Sequence, residues 1–395
     1  MRFFRRTAFF CVFFAAWLLL PATARGTVRT RLVVGADPTQ CPQAQFTKIQ
    51  DAINAAEPGD QIFICKGIYQ EQLKITKSLD IDADRGAFLV PALMKPNTTT
   101  LATGDPVAAA VLITDATNVW IAGLTVDGSG NGIAACSPRL IGVYFQNASG
   151  NLQHVAVRDF QLGPGLTACQ SGTGVFVESG GGASSEVEIA ECSIHDFQKN
   201  GITANEAGTE VRVHNNIITG AGPTEGATQN GVQIGFAATG TIRKNIVTNN
   251  VWSPCTDAAT CQSIATNILV MQSDGVRVLD NTVGVSQVGI FVVGNHSVVT
   301  RNTAYGTAVF QNVRIEGDDN RVEENRVFNG SGSDVFLGGN NKSVERNVIA
   351  EAPVGILKAQ GSTGNHLVAN EYFNVGIATQ DPPADDTRKK IVPEH

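Results

Sequence analysis

The stretch VEENRVFNG, residues 322–330, returns 22 residues later as VERNVIAEA, residues 344–352. A short period of this kind restricts the chain more than any other feature it has. Setting the asparagines of the motif in register gives Asn216, Asn245, Asn281, Asn302, Asn325, Asn347 and Asn370, with final intervals of 21, 23, 22 and 23 residues. Three positions before each stands an aliphatic residue (Val213, Ile242, Val278, Val299, Val322, Val344, Leu367), and two positions after most of them another apolar one. Alternation with period two means strands. Upstream, Cys192, Phe160 and Leu124 fall in the asparagine column, so the repeat predicts about ten coils.

After each motif comes a Gly or polar residue followed by alternating apolar positions: GVYFQ at 142, GVFVE at 174, GITAN at 201, GVQIG at 231, NILVM at 267, GIFVV at 289, NVRIE at 312, DVFLG at 334 and GILKA at 355. Two or three strands per coil leave no room for a crossover helix, which rules out a βαβ sheet. They fit an all-β solenoid in which each strand pairs in parallel with its copy one coil on, a rod of about 48 Å at roughly 4.8 Å per coil. The asparagine is expected to turn the corner in a left-handed conformation and to bond its amide to stacked copies of itself. Cys192, in the same column, reads as a buried free thiol.

The Asn-marked coil resembles the right-handed single-stranded parallel β-helix of the pectin-lyase-like fold over most of residues 46–380. The segment FTKIQDAINAAEPGDQIFICKGIYQEQLKITKSLDI, residues 46–81, resembles the opening of pectin methylesterases and of other secreted β-helix proteins. Here Thr47-x-x-Gln50 reads as a capping box, and Ile49, Ala52, Ile53 and Ala56 as the apolar stripe of a helix over 46–57 that plugs the end of the solenoid. The resemblance does not carry an activity across. The Q-D-T and D-F-I-F-G contexts of pectin methylesterase aspartates are missing, although Gly67-x-Tyr69-x-Glu71 matches and residues 333–338 echo the second faintly. The polygalacturonase set N-T-D, D-D, G-H-G and R-I-K is also missing.

Residues 1–24 place arginines at 2, 5 and 6 before an apolar run from Ala8 to Leu20 and an Ala22-Thr23-Ala24 site, which reads as a secretory signal peptide. The expectation is a secreted or periplasmic protein, with no membrane attachment once the signal is cleaved. A leader at 25–45, a β-helix at 46–380 and a disordered Pro-rich charged tail at 381–395 complete the organisation. Without the signal, 26 basic side chains face 36 acidic ones, a balance that argues against nucleic acid as partner. Seven cysteines remain. Coil stacking pairs Cys136 with Cys169; Cys255–Cys261 reads as a clip within the longest loop, and Cys41–Cys65 as a tie from leader to first strand.

From each column residue to the next GI-type strand the distances are 18, 14, 9, 15 and 22 residues in the first half, then 8, 10, 9, 8 and 6. Long loops therefore rise from one edge of the first coils, where a rigid solenoid carries its binding function. The outward residues beside them are Tyr144, Phe176, Thr203, Gln233, Leu269, Phe291, Arg314, Phe336 and Leu357, and just beyond come Gln146, Glu178, Asn205 and Gly235. Aromatic rings with amides suit a sugar, so a polysaccharide is the expected partner, bound by Tyr144, Gln146, Phe176, Asn205, Gln233, His195 and Lys199. If there is hydrolysis, Glu178 and Glu206 are the candidate carboxyl pair, which has to stand about 5 Å or roughly 6.5–9.5 Å apart. His195 or Lys199 are the alternative bases. The competing reading is a non-catalytic extracellular scaffold or adhesion protein. The apolar second half of the row is expected to lie under the C-terminal tail or a partner chain. No cofactor is expected, apart from a possible Ca²⁺ site at Asp318, Asp319 and Asn320.

Overall fold

The computed structural model describes residues 29–257, 261 and 263–381. The segment read as a signal peptide and nearly all of the expected tail lie outside them. Each coil contributes three short strands, called a, b and c here in chain order; in one coil these are Ser185–Ala190, Ser193–His195 and Asn200–Asn205. Thirteen a strands form one continuous sheet, spanning roughly 58 Å at about 4.8 Å per step. The b and c strands stack likewise, coil upon coil and in parallel. The fold is a right-handed parallel β-helix, longer than the asparagine column predicts. Three a strands precede the one at Val119–Ala122: Arg31–Val34, Gln61–Ile64 and Asp80–Ala83. The first of them lies in the segment read as a leader.

Inward side chains of all three sheets meet in one axial core of Val, Ile, Leu, Phe and Ala that runs from Leu32 to Ile356. The recurrent glycine at the start of strand c is explained by close approach at this corner. A Cβ on Gly174 would lie 2.6 Å from the Gly201 carbonyl oxygen and 2.9 Å from an Ile194 methyl, and one on Gly201 would meet Gly231 and Ile218 in the same way.

The a-to-b corner is where the aligned asparagines act. Each amide Nδ2 donates to the Oδ1 of the next, from Asn216 through Asn245, Asn281, Asn302, Asn325 and Asn347 to Asn370, at 2.9 to 3.0 Å. The same Oδ1 atoms accept the preceding coil's asparagine N–H. The left-handed residue, however, is the one before the asparagine: Asn215, Lys244, Asp280, Arg301, Glu324, Arg346 and Ala369 all have φ between 52° and 57°. Asparagine is needed for its hydrogen bonds, and the residue that bends is almost arbitrary in type. Cys192 continues the column, its N–H donating to Asn216 Oδ1 at 2.9 Å. It is a buried free thiol whose pKa burial pushes up to about 12.

The helix α1, Ile49–Ala55, packs Ile49, Ala52 and Ile53 into the end of the core. Its capping box does not form, and no side chain of its own segment caps it. Instead the N–H groups of Ile49 and Gln50 donate to the two oxygens of the Glu71 carboxylate at 2.8 and 3.0 Å, an anion at the positive end of the helix. The disulfides Cys41–Cys65, Cys136–Cys169 and Cys255–Cys261 are all formed, with Cα separations of 6.3, 5.1 and 4.8 Å. Among the described residues no helix is long and apolar enough to cross a membrane.

Candidate functional site

The outer face of strand c follows the register of the repeat: Tyr144, Phe176, Thr203, Gln233, Leu269, Phe291, Arg314, Phe336 and Leu357 stand in one row. Gln146, Glu178, Asn205, Gly235 and Met271 form the next. Three different surfaces result along this one face.

Over the first coils the face is covered. Strand Thr98–Thr99 folds back antiparallel on Pro106–Thr114 and brings residues 98–102 over a cluster of Leu112, Ile141, Tyr144 and Phe176. Tyr144 is fully buried and Phe176 nearly so, their rings stacked with centroids 5.1 Å apart. Gln146 Nε2 donates to the Thr99 carbonyl at 2.6 Å, and its Oε1 accepts from Thr98 Oγ1 at 2.9 Å. Glu178, 1% exposed, accepts the N–H groups of Leu101 and Ala102 at 2.8 and 2.9 Å and the Tyr144 hydroxyl. Desolvation, with that carboxylate beside it, pushes the Tyr144 pKa up, so the phenol stays protonated. These four residues hold a covering hairpin. The expectation of an exposed aromatic platform at Tyr144 is corrected: its ring is buried. Glu178, expected as one of the candidate carboxyl pair, has its carboxylate taken up by the hairpin N–H groups and the Tyr144 hydroxyl.

The second half of the face is covered too, in its first coils by the chain's own longest loop; the C-terminal tail expected there lies outside the described residues. Cys255 and Ile264, with Trp252 packed against them, lie on Leu269, Met271 and Phe291. Beyond them the Arg314 guanidinium lies 5.3 Å from the Phe291 ring centroid and 4.5 Å from that of Phe336, and pairs with Glu316 in a buried ion pair.

Between the two covers the row turns polar, with Asn200, Thr203 and Gln233 themselves largely buried and Asn205 half-buried. Asn200 Nδ2 donates to Thr203 Oγ1 at 2.8 Å and to Gln233 Oε1 at 3.2 Å; Asn230 Nδ2 donates to Asn200 Oδ1 at 3.1 Å; and Gln233 Nε2 donates to Asn205 Oδ1 at 3.2 Å. Asn200, Thr203, Asn205 and Gln233 line a shallow cleft together with Phe176, Lys199, Arg139 and Ser171. Its enclosed space is only about 50 Å³, so a ligand lies along it rather than inside it. Arg139 is paired with Asp105 at 2.7 Å. Two buried oxygens of the adjoining row, Asn230 Oδ1 and Thr266 Oγ1, find no hydrogen-bond partner among the described residues. The lining holds no carboxylate.

Of the residues expected to bind, Phe176, Asn205, Gln233 and Lys199 line this cleft together. Thr203, expected only as an outward residue of the row, joins them, and Asn200, which stands just before the GITAN stretch, was missed because the repeat pattern starts at Gly201. His195 lies elsewhere: it is on strand b, in register with Arg158 and Thr219, with its Nδ1 2.6 Å from Asp196 Oδ2. Glu206, half-buried, follows strand c in a left-handed turn with φ 75° and does not line the cleft. At the Ca²⁺ candidate, Asp318 Oδ1 accepts the Asn340 N–H and Asn320 Oδ1 the Ser297 N–H. Among the described residues no three acidic, His or Cys side chains converge as metal ligands.

Several solved structures share the architecture. The GH136 lacto-N-biosidase from Eubacterium ramulus matches with a TM-score of 0.57 at 12% identity, over 88% of this chain and 68% of that one. The A-module of the Azotobacter vinelandii mannuronan C-5 epimerase AlgE4 matches with 0.55 at 14% identity, over 84% and 91%. DFA-IIIase from Arthrobacter chlorophenolicus A6 without its lid matches with 0.52 at 15% identity, over 90% and 92%. At such identities the likeness is one of fold. Comparison with curated proteins gives no significant match. The profile of the right handed beta helix region matches residues 108–372, and with two thirds of its length inside that match the chain belongs to the right-handed β-helix family.

Proposed function

We propose that this is an exported protein that binds a polysaccharide along the outer face of strand c, with Asn200, Thr203, Asn205 and Gln233 as the contact surface. The observation that carries the reading is the interruption of two covered apolar stretches by a patch of side-chain amides and a hydroxyl. Such groups both donate to and accept from sugar hydroxyls. That fold neighbours include a lacto-N-biosidase and a mannuronan C-5 epimerase supports a carbohydrate ligand, and the three disulfides suit an oxidising compartment.

The cleft lacks the paired carboxyls that glycoside hydrolysis needs, so binding is the function proposed here rather than hydrolysis by Glu178 and Glu206. The test is affinity gel electrophoresis against a panel of uronic-acid and neutral polysaccharides, read alongside absorbance of unsaturated products and reducing ends. Retardation by at least one polysaccharide, lost in the Asn205→Ala/Gln233→Ala protein, is the expected result. Normal mobility on every gel leaves the solenoid as a scaffold and ends the proposal.

A further inference from the structure

The outer face of strand a carries a feature that the groove does not use. Asp80, Trp120 and Asn151 stand in one row across three neighbouring coils. The Trp120 side chain is 37% exposed. Beside it opens a cavity of about 230 Å³ that is also lined by Arg29, Ser78 and Asn118. A single exposed tryptophan is ordinary in itself; what sets Trp120 apart is the polar-lined cavity beside it. Here it is flanked by a carboxylate one step along the solenoid and an amide one step the other way, each about 4.8 Å off.

We infer that this cavity is a second carbohydrate contact, taking a single neutral pyranose unit stacked on the Trp120 indole. The flat apolar face of a pyranose covers an indole, and its equatorial hydroxyls lie at the ring edge, where Asp80 accepts and Asn118 and Asn151 both donate and accept. The charges favour a neutral sugar over a uronate. Burial, with Asp82 nearby, raises the Asp80 pKa, and the cation on the rim, Arg29, is largely exposed and 3.9 Å from Asp80. The cavity lies on a different sheet from the groove, so this inference stands or falls separately from the function proposed above.

Trp120 and Trp252 are the tryptophans left once residues 1–24 are removed, so a Trp252→Phe protein reports on Trp120 alone. Titration of that protein with cellohexaose, xylohexaose, mannohexaose and hexa-N-acetylchitohexaose is expected to give a saturable change in emission with at least one of them. By calorimetry on the otherwise unaltered chain, the same oligosaccharide is expected to bind at least ten-fold more weakly to Trp120→Leu. It should bind several-fold more weakly to Asp80→Asn, and with unchanged affinity to Asn205→Ala/Gln233→Ala. Trp120 is at the surface, and leucine keeps its strand apolar, so a folded Trp120→Leu protein is checked by its unchanged unfolding midpoint. The inference is overturned if none of the four oligosaccharides alters Trp120 emission, if binding survives in Trp120→Leu, or if hexagalacturonate is preferred. A ligand that Trp120→Leu keeps and Asn205→Ala/Gln233→Ala loses supports the groove and refutes this site.

Discussion

Lys342 sits where the turn from strand c to strand a needs an amide. Ser297, Asn320, Lys342 and Asn365 follow one another immediately before strands that pair in register. Asn320 Oδ1 accepts the Ser297 N–H and Asn365 Oδ1 accepts the Lys342 N–H. An ammonium accepts nothing, and Lys342 Nζ is buried with no hydrogen-bond partner among the described residues. Burial pulls its pKa down from 10.5 to about 8, against the raising effect of Asp318, Asp319 and Glu316. The charged form therefore carries a cost on the order of 3 kcal/mol, in full below pH 8 and fading as the pH rises toward 10.5, because there the unfolded chain holds the proton the folded chain has lost. Lys342→Asn is expected to raise stability by roughly 2 kcal/mol at pH 7 and by clearly less at pH 10, measured by urea unfolding. An equal gain at both values would refute the account of Lys342. Asp334 is the acidic counterpart. Its Oδ1 accepts Asn312 Nδ2 at 2.8 Å and the Gly330 N–H at 3.0 Å, and its Oδ2 has no partner among the described residues. Burial raises its pKa from 3.8 to about 6, so its cost is absent below the lower value and complete above the upper. Asp334→Asn should gain about 1 kcal/mol at pH 8 and nothing at pH 4.

At the scale of elements, the hairpin over the first coils is what separates a structural carboxylate from a catalytic one. Glu178→Ala leaves the Leu101 and Ala102 N–H groups and the Tyr144 hydroxyl without their acceptor, and a buried network broken on one side loses on the order of 3 kcal/mol. The expected result is faster hydrogen exchange over residues 98–105 together with a lower unfolding midpoint. An unchanged midpoint would return Glu178 to candidacy as a working acid. In the ladder, Asn302→Ala removes an acceptor for Asn281 and the donors to Asn325 and Val278, and should cost about 2–4 kcal/mol. Ala369→Gly, at a left-handed residue outside the ladder, should be neutral or stabilising by up to about 1 kcal/mol. These elements differ in how far they could be read from sequence. The ladder and the row along strand c were legible because each coil repeats the same local pattern, and stacking converts that pattern directly into contacts. The left-handed position was misassigned by one residue because its side chain points outward and leaves no pattern: Lys, Asp, Arg, Glu and Ala all occupy it. The partner of α1 was hidden because Glu71 reaches the helix from 21 residues away, where a local box was the reading.

For the whole molecule, the period fixes a rod, and the covers decide which part of the rod meets the outside. The three earliest coils went unread because they lack the asparagine column and are interrupted by α1 and the hairpin. The covers went unread because they depend on contacts such as Thr98 with Gln146, 48 residues apart, which no periodicity records. Between the covers, strand c carries the polar patch at Asn200, Thr203, Asn205 and Gln233, which lines the shallow cleft. The most direct measurement is a crystal structure of the chain soaked with an oligosaccharide cut from whichever polysaccharide retards it. Sugar density running across Thr203 and Gln233, with the 98–102 segment still in place over Tyr144, is the predicted result. Density that reaches Glu178 beneath a displaced hairpin, or that avoids strand c altogether, would contradict the assignment of the groove.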